Sequence, residues 1–376
     1  MPSPAQSAPG AQPAGERADV MRIAVIGVGL IGGSVALAAR ERTGATVTGA
    51  DASADALGRA LGRGAIDRGA DSLQDAVADA EAVFIAAPVG ALPDLVGAAL
   101  AAAPGDCVVT DVGSTKRALL AAHADPRFVG GHPLAGAENA GVEHARADLF
   151  DGATWYLTPG AGTSGILYER LHRLLHALGA QPAAIDTETH DRILAVVSHL
   201  PHVLANVLVS QAARTLSAGG ERLPATGPSF RDATRVAGAP SAIWTDIYLS
   251  NRDALTAELD ATIARLKTVR AALTTSDGDA ISVWNEAAAA DRRRLLEAQL
   301  AGGELFELRA SVPNRPGVLA ELALGLGRAG VNIADMALHP APDMSEGVVA
   351  LWIAGESAAD KAQAVVSQLG FPVARP

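Results

Sequence analysis

The chain has 376 residues, a formal net charge of −11 and a single cysteine, Cys107. This length is enough for two or three domains with separate cores. The acidic balance and the lack of a basic run argue against nucleic acid as a partner, and one cysteine excludes an internal disulfide framework and a cysteine-based zinc site. We expect a cytoplasmic protein with no metal site and no membrane partner.

The first half of the chain alternates short apolar segments with helical patterns. Residues 1–20, rich in Pro, Ala, Gly and Ser, have the composition of a disordered tail. The alternation that follows predicts right-handed crossovers and a parallel sheet covered on both faces, hence an α/β domain of Rossmann type over residues 21–186. The predicted strands are Arg22–Ile26, Thr46–Ala50, Ala82–Ala86, Cys107–Thr110, Arg127–Gly130, Thr154–Thr158 and Gln181–Ile185.

Beyond residue 186 the pattern changes to long helices. Their apolar faces need a partner surface, so we expect an all-helical substrate and dimerisation domain over residues 187–300, and a homodimer. Residues 304–376 follow the order β-α-β-β-α-β, which predicts a third domain with a ferredoxin-like fold. The predicted helices of the middle domain span 190–215, 240–272 and 276–300, with an irregular segment at 218–230.

A glycine-rich turn, residues 27–32 (GVGLIG), joins the first predicted strand to the first predicted helix. This spacing is a dinucleotide-binding fingerprint, in which glycines permit close backbone approach and the helix N-terminus receives a pyrophosphate. Asp51 ends the second strand, where its carboxylate would accept hydrogen bonds from ribose hydroxyls and repel a 2′-phosphate. NAD is therefore favoured as the cofactor, while Arg59 and Arg63 keep NADP open as an alternative.

Two polar loops follow later strands, over residues 111–116 (DVGSTK) and 130–136 (GGHPLAG). Open α/β sheets bind ligands at the carboxyl ends of their parallel strands. In the second loop His132 stands between glycines and a proline, where an imidazole would serve as a general base near neutral pH. Ser114 in the first loop would orient this histidine or a substrate hydroxyl.

One apolar helix, residues 191–210, carries a polar stripe. Ser198, His202 and Asn206 recur every four positions, which places them on one face, and Pro201 denies the helix one backbone hydrogen bond. Burying such groups without partners costs on the order of 1–3 kcal/mol each. Either a structural network or a ligand must therefore meet them, and the helix alone does not decide between the two.

Two further pairs of polar residues lie in the helical region. His190 and Asp191 are more typical of a helix start than of a site. Asp232 and Arg235 are three positions apart and would share a face of a helical turn. A guanidinium held in this way could bind a carboxylate through two parallel hydrogen bonds, or the two residues could form an ordinary surface ion pair.

These motifs occur together in one known family. GVGLIGGS, Asp51, AAPVG, DVGSTK, GGHPLAG, SHLPH and FRDATRVA with a following IW resemble the prephenate/arogenate dehydrogenases of tyrosine biosynthesis, over residues 21–300. The last segment, with VPNRPGVLAELA and AGVNI, resembles an ACT domain, a module that often binds amino acids. The resemblance implies an NAD-dependent oxidative decarboxylation of prephenate, with tyrosine as a feedback effector.

The same resemblance implies roles for individual residues. His132 would be the base on the substrate hydroxyl, with Ser114 hydrogen-bonded to it, and Arg235, held by Asp232, would bind a substrate carboxylate. The other implied contacts are His202, Ser198 and Trp244 for the substrate, Gly27, Gly29, Leu30, Ile31, Gly32, Asp51, Pro88 and Val89 for the cofactor, and Asn314, Gly317 and Asn332 for the effector.

Three alternatives remain at this point. The enzyme could prefer arogenate over prephenate, since no motif distinguishes a keto-acid side chain from an amino-acid side chain. A dehydrogenase of β-hydroxyacid type usually relies on a lysine in its helical domain, and residues 187–298 offer only Lys267, far from any motif. A non-catalytic sensor of nucleotide and amino acid would need neither His132 nor Arg235, so the presence of both residues argues against it.

Overall fold

A computed structural model describes residues 20–136, 140–218, 227–299 and most of 304–376, where the gaps are 314–317, 319–320, 323–324, 327–328, 332, 334 and 342–344. The predicted disordered tail lies outside the described residues, apart from Val20. The chain divides into two compact units, Met1–Ile263 and Ala264–Pro376.

Eight strands form one sheet in the first unit, in the order β3-β2-β1-β4-β5-β6-β7-β8. They are β1 (Arg22–Ile26), β2 (Thr46–Ala50), β3 (Arg68–Gly69), β4 (Ala82–Ile85), β5 (Val108–Asp111), β6 (Phe128–Pro133), β7 (Thr154–Pro159) and β8 (Gln181–Ala184). All seven predicted strands are present. β3 is not predicted, because two residues are too few to show a strand periodicity.

The prediction of a parallel sheet is wrong at one pair of strands, β6 and β7. β1 to β6 are parallel to one another, whereas β7 runs antiparallel to β6 and parallel to β8. A parallel pair needs a crossover connection, usually a helix. The described part of the connection from β6 to β7 carries a short 3₁₀ turn at Val142–His144 instead, so the chain returns beside β6 in the opposite direction.

Helices cover both faces of this sheet, as expected. Alternate strand residues point to opposite faces: Val25 and Phe84 belong to one apolar core, and Ala24 and Val83 to the other. The helices that alternate with these strands are α1 (Leu30–Thr43), α2 (Ala54–Gly62), α3 (Leu73–Val77), α4 (Leu92–Ala102), α5 (Arg117–Ala122) and α6 (Gly165–Ala177). They are followed along the chain by α7 (Thr187–Leu194), α8 (Leu200–Ala218), α9 (Pro228–Thr234), α10 (Ser241–Ser250) and α11 (Arg252–Thr274).

A π-helical turn, Ala195–His199, joins α7 to α8. Pro201 has no N–H to donate to the carbonyl of the residue four positions earlier, which is one cause of such irregular turns. By length and composition alone, the continuous helix Thr187–Leu216 is long and apolar enough to cross a membrane. Core helices of soluble proteins meet the same criterion, and this helix carries several polar side chains of the site described below.

The predicted helix 240–272 is divided in two at Asn251, between α10 and α11. Asn251 has φ −114° and ψ 25° and its side chain is buried. The amide donates a hydrogen bond to the Asp191 carbonyl oxygen at 2.7 Å and lies 3.2 Å from Nδ1 of His199. The break therefore places a polar side chain inside the helical block.

The second unit contains a four-stranded antiparallel sheet in the order β10-β11-β9-β12. Its elements are α12 (Gly278–Gln299), β9 (Leu305–Pro313), β10 (Asp335–Pro340), β11 (Glu346–Ala354), α13 (Glu356–Gln368) and β12 (Val373–Ala374). Leu308 and Leu351 pack with Val366 of α13 in one apolar core. This strand order is the one expected of a ferredoxin-like unit.

Candidate active site

The turn between β1 and α1 is shaped by its glycines. Gly27 has φ +91°, and a Cβ there would lie 2.2 Å from the carbonyl oxygen of Ala86. A Cβ at Gly32 would lie 1.9 Å from the carbonyl oxygen of Gly27, whereas no atom of the described residues lies within 4 Å of the Cβ position at Gly29. Gly29 is the N-cap of α1. The outer glycines are thus needed by the fold, and Gly29 borders open space at a helix N-terminus, where a dinucleotide pyrophosphate fits.

Asp51 is tied to this turn at the end of β2. One carboxylate oxygen accepts a hydrogen bond from the Val28 amide at 2.8 Å, and the other accepts one from the Ser53 amide at 2.8 Å. The carboxylate is therefore held beside the glycine turn, where it can meet a ribose. This arrangement fits NAD.

The two arginines that left NADP open have other partners. Arg59 forms ion pairs with Asp55 and, at 2.5 Å, with Glu143. Arg63 donates to the Ala145 carbonyl oxygen at 3.2 Å. Because both guanidiniums are engaged by protein groups, neither is reserved for a 2′-phosphate.

The remaining predicted cofactor residues lie around the same edge of the sheet. Leu30 and Ile31 form the first turn of α1, and Pro88 and Val89 follow β4, the neighbour of β1. The next amide, that of Gly90, donates a hydrogen bond to Asp246 of α10 at 3.2 Å. This loop thereby connects the nucleotide-binding sheet to the helical block.

His132 lies in β6, beside β5, and is 9% exposed. Its Nδ1 is 2.9 Å from Nε2 of His190, and the two rings pack edge to face with centroids 5.1 Å apart. Burial, followed by the proximity of His190 and Lys116, lowers the pKa of His132 well below the usual 6.5. The imidazole is consequently neutral at physiological pH and available as a base.

His190 in turn bonds to Asp191, and we refer to His132, His190 and Asp191 as the imidazole chain. Nδ1 of His190 lies 2.8 Å from Asp191, whose carboxylate also accepts the backbone amides of Lys116 at 2.8 Å and Arg117 at 3.0 Å. Burial alone would raise the pKa of Asp191, but these hydrogen bonds hold it below the usual 3.8. Asp191 is therefore a buried carboxylate that remains ionised.

A second buried charge pair lies next to the imidazole chain. Lys116 and Asp111, 1% and 0% exposed, form an ion pair. The Asp111 carboxylate also accepts the amides of Gly113 at 2.8 Å and Gly131 at 3.1 Å. Burial lowers the pKa of Lys116, and the charge of Asp111 opposes this effect. The pair joins the two predicted loops and fixes the backbone next to His132.

His202 is enclosed by the helical block. Its ring stacks on Trp244, with centroids 3.5 Å apart and an angle of 2° between the planes, and its Nδ1 bonds to the Tyr248 hydroxyl. Asn206 donates to the His202 carbonyl oxygen at 2.9 Å, so Asn206 belongs to a structural network. Nε2 of His202 is buried without a partner among the described residues. Burial lowers the pKa of His202, and the adjacent Val236 backbone opposes this.

Four other predicted site residues, two serines and the pair Asp232 and Arg235, occupy half-buried or exposed positions. Ser114 and Ser198 are half-buried, and the described hydrogen bonds of His132 and His202 go to other residues. Asp232 and Arg235 are exposed, and the Arg235 amide donates a 3.4 Å hydrogen bond to the Asp232 carbonyl oxygen. The predicted effector residues Asn314, Gly317 and Asn332 lie outside the described residues.

Sequence reasoning missed several members of this site. His190 and Asp191 are predicted as a helix start, and they are the fourth and fifth residues of α7, which Asp186 caps. Their inward orientation has no local signature. His199 and Asn251 also escape prediction, although both are buried; burial lowers the pKa of His199 to about 4.

A nucleotide-binding turn and a buried neutral histidine, at the carboxyl edge of one sheet, define this chain as an NAD-dependent oxidoreductase. Comparison with known proteins gives the family. Residues 35–183 match the family model of the prephenate dehydrogenase nucleotide-binding domain, and residues 186–285 match that of the prephenate dehydrogenase dimerization domain. The chain belongs to the prephenate dehydrogenase family.

Individual relatives agree with this assignment. The chain is 34% identical over 325 residues to a prephenate dehydrogenase of Bacillus subtilis, covering 84% of this chain and 87% of that one. It is 37% identical over 268 residues to a cyclohexadienyl dehydrogenase of Zymomonas mobilis, covering 68% and 90%. A crystal structure of prephenate dehydrogenase from A. aeolicus, in complex with hydroxyphenyl propionate and NAD⁺, matches with a TM-score of 0.69 and 26% identity, over 74% of this chain and 100% of that one.

Proposed function

We propose that this protein oxidises prephenate with NAD⁺ and releases CO₂, giving 4-hydroxyphenylpyruvate in tyrosine biosynthesis. The observation that carries the proposal is the buried His132 at the carboxyl edge of the sheet that carries the nucleotide turn. A neutral imidazole at this place supplies what the oxidation of a ring alcohol requires, a base for the hydroxyl proton.

The proposed reaction divides between cofactor and protein. Bound NAD⁺ supplies the hydride acceptor. Nε2 of His132 takes the proton of the ring hydroxyl while the carbinol C–H bond breaks, and the electrons of the bond to the departing carboxylate restore the aromatic ring. The enclosed helical residues orient the substrate and keep water away from the reacting carbon.

We infer that the substrate lies between His132 and the helical block. Nε2 of His202 is buried without a hydrogen-bond partner among the described residues, and a substrate oxygen would satisfy it. Trp244 holds the ring of His202 in place by stacking. Arg235, in the turn before Val236, is the guanidinium that would bind a substrate carboxylate, with Asp232 beside it. Ser114 and Ser198, both half-buried, would complete the polar lining near His132 and His202.

The experiment that tests the function is an assay of NADH formation with prephenate and with arogenate, side by side. We expect turnover with prephenate. A higher kcat/KM with arogenate would instead make the protein an arogenate dehydrogenase, and silence with both would favour a non-catalytic sensor. In the same assay, His132→Ala should lower kcat by about 10²–10⁴-fold, the usual worth of general-base catalysis, with NAD⁺ affinity unchanged. Wild-type turnover in this variant would remove His132 as the base.

We further propose that the enzyme is a cytoplasmic homodimer. The helical block exposes Val197, Val207 and Leu208 to 62%, 55% and 46%. This face lies within the segment that matches the dimerization domain of the family. A second copy of the chain would cover it, and sedimentation equilibrium tests this directly.

The C-terminal unit is proposed to be an ACT domain that binds tyrosine as a feedback effector. Its strand order is that of a ferredoxin-like fold, and its sequence carries the motifs that resemble ACT domains. The candidate effector neighbourhood, Asn314, Gly317 and Asn332, stays a prediction from the resemblance. Titrating tyrosine into the NADH assay tests it, since an effector would lower the rate at constant substrate.

A further inference from the structure

We propose that His190 and Asp191 are positioning residues that hold the general base His132 in a single tautomer, with the lone pair of Nε2 directed to the substrate. The inference rests on the proposed role of His132 as the base. It assigns a function to two residues whose sequence pattern predicts only the start of a helix.

The direction of each hydrogen bond follows from the charge of Asp191. Its carboxylate accepts two backbone amides, from Lys116 at 2.8 Å and Arg117 at 3.0 Å, and an ionised carboxylate has no proton to donate. Nδ1 of His190, 2.8 Å away, must therefore be the donor. In a neutral imidazole the other nitrogen is then an acceptor, so Nε2 of His190 accepts.

The same argument continues to His132. Its Nδ1 lies 2.9 Å from Nε2 of His190 and must donate to it. The proton of neutral His132 therefore resides on Nδ1, and Nε2 is left unprotonated. Without a partner at Nδ1, His132 would exchange between two tautomers, one of which carries a proton on Nε2 and cannot act as a base there.

Burial makes this arrangement rigid and electrostatically effective. His190 and Asp191 are 0% and 1% exposed, and the Tyr156 ring packs edge to face on His190. Asn251 fixes the backbone of Asp191 through its carbonyl oxygen at 2.7 Å. When the substrate O–H bond breaks and the Nε2–H bond of His132 forms, the imidazolium keeps its Nδ1 proton. The negative charge of Asp191 then stabilises it through His190, and no proton needs to move along the chain.

Two substitutions at His190 separate positioning from packing. His190→Leu removes the acceptor for the Nδ1 proton of His132. We expect kcat to fall by 10- to 100-fold, which is part of the 10²–10⁴-fold that a general base supplies. The KM values for prephenate and for NAD⁺ should change little. In His190→Gln the amide oxygen can still accept from His132, so this variant should recover most of the loss. His176→Gln is the matched control, because His176 is an exposed histidine on α6, and it should behave as wild type.

A spectroscopic measurement reports the tautomer of His132 directly. With nine histidines in the chain, long-range ¹H–¹⁵N correlation spectra of histidine-labelled enzyme at pH 8 should show His132 and His190 both protonated at Nδ1. In His190→Leu the His132 signal should change to that of exchanging tautomers. A wild-type His132 protonated at Nε2, or full kcat in His190→Leu, would overturn the proposal.

The two variants His132→Ala and His190→Leu also distinguish a failure of the positioning role from a failure of the proposed function. If His132→Ala loses turnover while His190→Leu keeps it, His132 is the base and the positioning role is wrong. If neither variant loses turnover, the base assignment itself fails. If His190→Leu is unfolded by circular dichroism, the His190→Gln variant and the wild-type spectra still decide the question.

Discussion

The glycine turn of residues 27–32 and His132 lie at the same edge of one sheet, but they are built in different ways. The turn depends on backbone geometry, with Gly27 at positive φ and Gly32 against the Gly27 carbonyl group. His132 depends on side chains that are distant in sequence, since His190 is 58 residues away. The first kind of site is therefore local and separable from the rest of the fold, whereas the second kind is part of a buried network.

This difference predicts how substitutions at each site should affect cofactor binding and stability. A substitution that only occupies the open space of the turn should weaken cofactor binding and leave the fold intact. A substitution in the buried polar network should destabilise the whole domain, because each charge there is compensated by another.

The largest effect is expected at the buried ion pair. Lys116→Met leaves the Asp111 carboxylate buried without its cation, which should lower the free energy of unfolding by about 3–5 kcal/mol. Urea unfolding followed by circular dichroism measures this. Asp111→Asn in the Lys116→Met background should recover part of the loss, because the uncompensated charge is removed.

An exposed pair supplies the control for this prediction. Arg146 and Asp148 lie 2.8 Å apart with side chains 57% and 60% exposed. Arg146→Met should change the stability by less than about 1 kcal/mol. Equal losses in Lys116→Met and Arg146→Met would show that burial of the charge does not set the cost of losing its partner.

The same difference explains what could be predicted from the sequence. The strands, the glycine turn and Asp51 follow from periodicity and local motifs. His132 is predicted in a loop after a strand, whereas β6 continues to Pro133 and His132 lies within it, because two glycines in a row hide the strand pattern. His190, Asp191 and Asn251 could not be predicted as a group. Their contacts depend on how α7 and α10 pack, and a single buried polar residue in a helix has no characteristic spacing. The divided helix at Asn251 is an example in which a tertiary hydrogen bond overrides helix propensity.

Acid should destabilise this network in a defined pH range. His199 has a pKa of about 4 in the folded protein, lowered by burial, against an ordinary value of 6.5. Below pH 6.5 the unfolded chain takes up a proton that the folded chain does not, so stability present above pH 6.5 is lost as the pH falls towards 4. The contribution of His199 is about 3 kcal/mol over this range.

The measurement is the pH dependence of the unfolding free energy between pH 7.5 and 4. In His199→Gln the curve should be flatter than in wild type, while any loss of packing would lower it equally at every pH. Parallel curves would mean that His199 does not carry this dependence. His132 and His202, whose pKa values are also lowered by burial, contribute in the same direction and remain in the variant.

The smallest effect on the fold, and the sharpest on the cofactor, is expected at Gly29. Its φ of −75° suits any residue, and in the part of the chain that the structure describes nothing lies within 4 Å of the added Cβ. Gly29→Ala should therefore unfold like wild type, while its NAD⁺ Kd rises about tenfold, equivalent to ~1.4 kcal/mol, because the methyl group takes the space of the pyrophosphate. Gly32→Ala is the contrast, since its Cβ would lie 1.9 Å from a backbone oxygen and should destabilise the turn itself. Isothermal titration with NAD⁺ and thermal unfolding on both variants separate the two roles. Unchanged NAD⁺ affinity in Gly29→Ala would place the pyrophosphate elsewhere and remove the turn from the cofactor site.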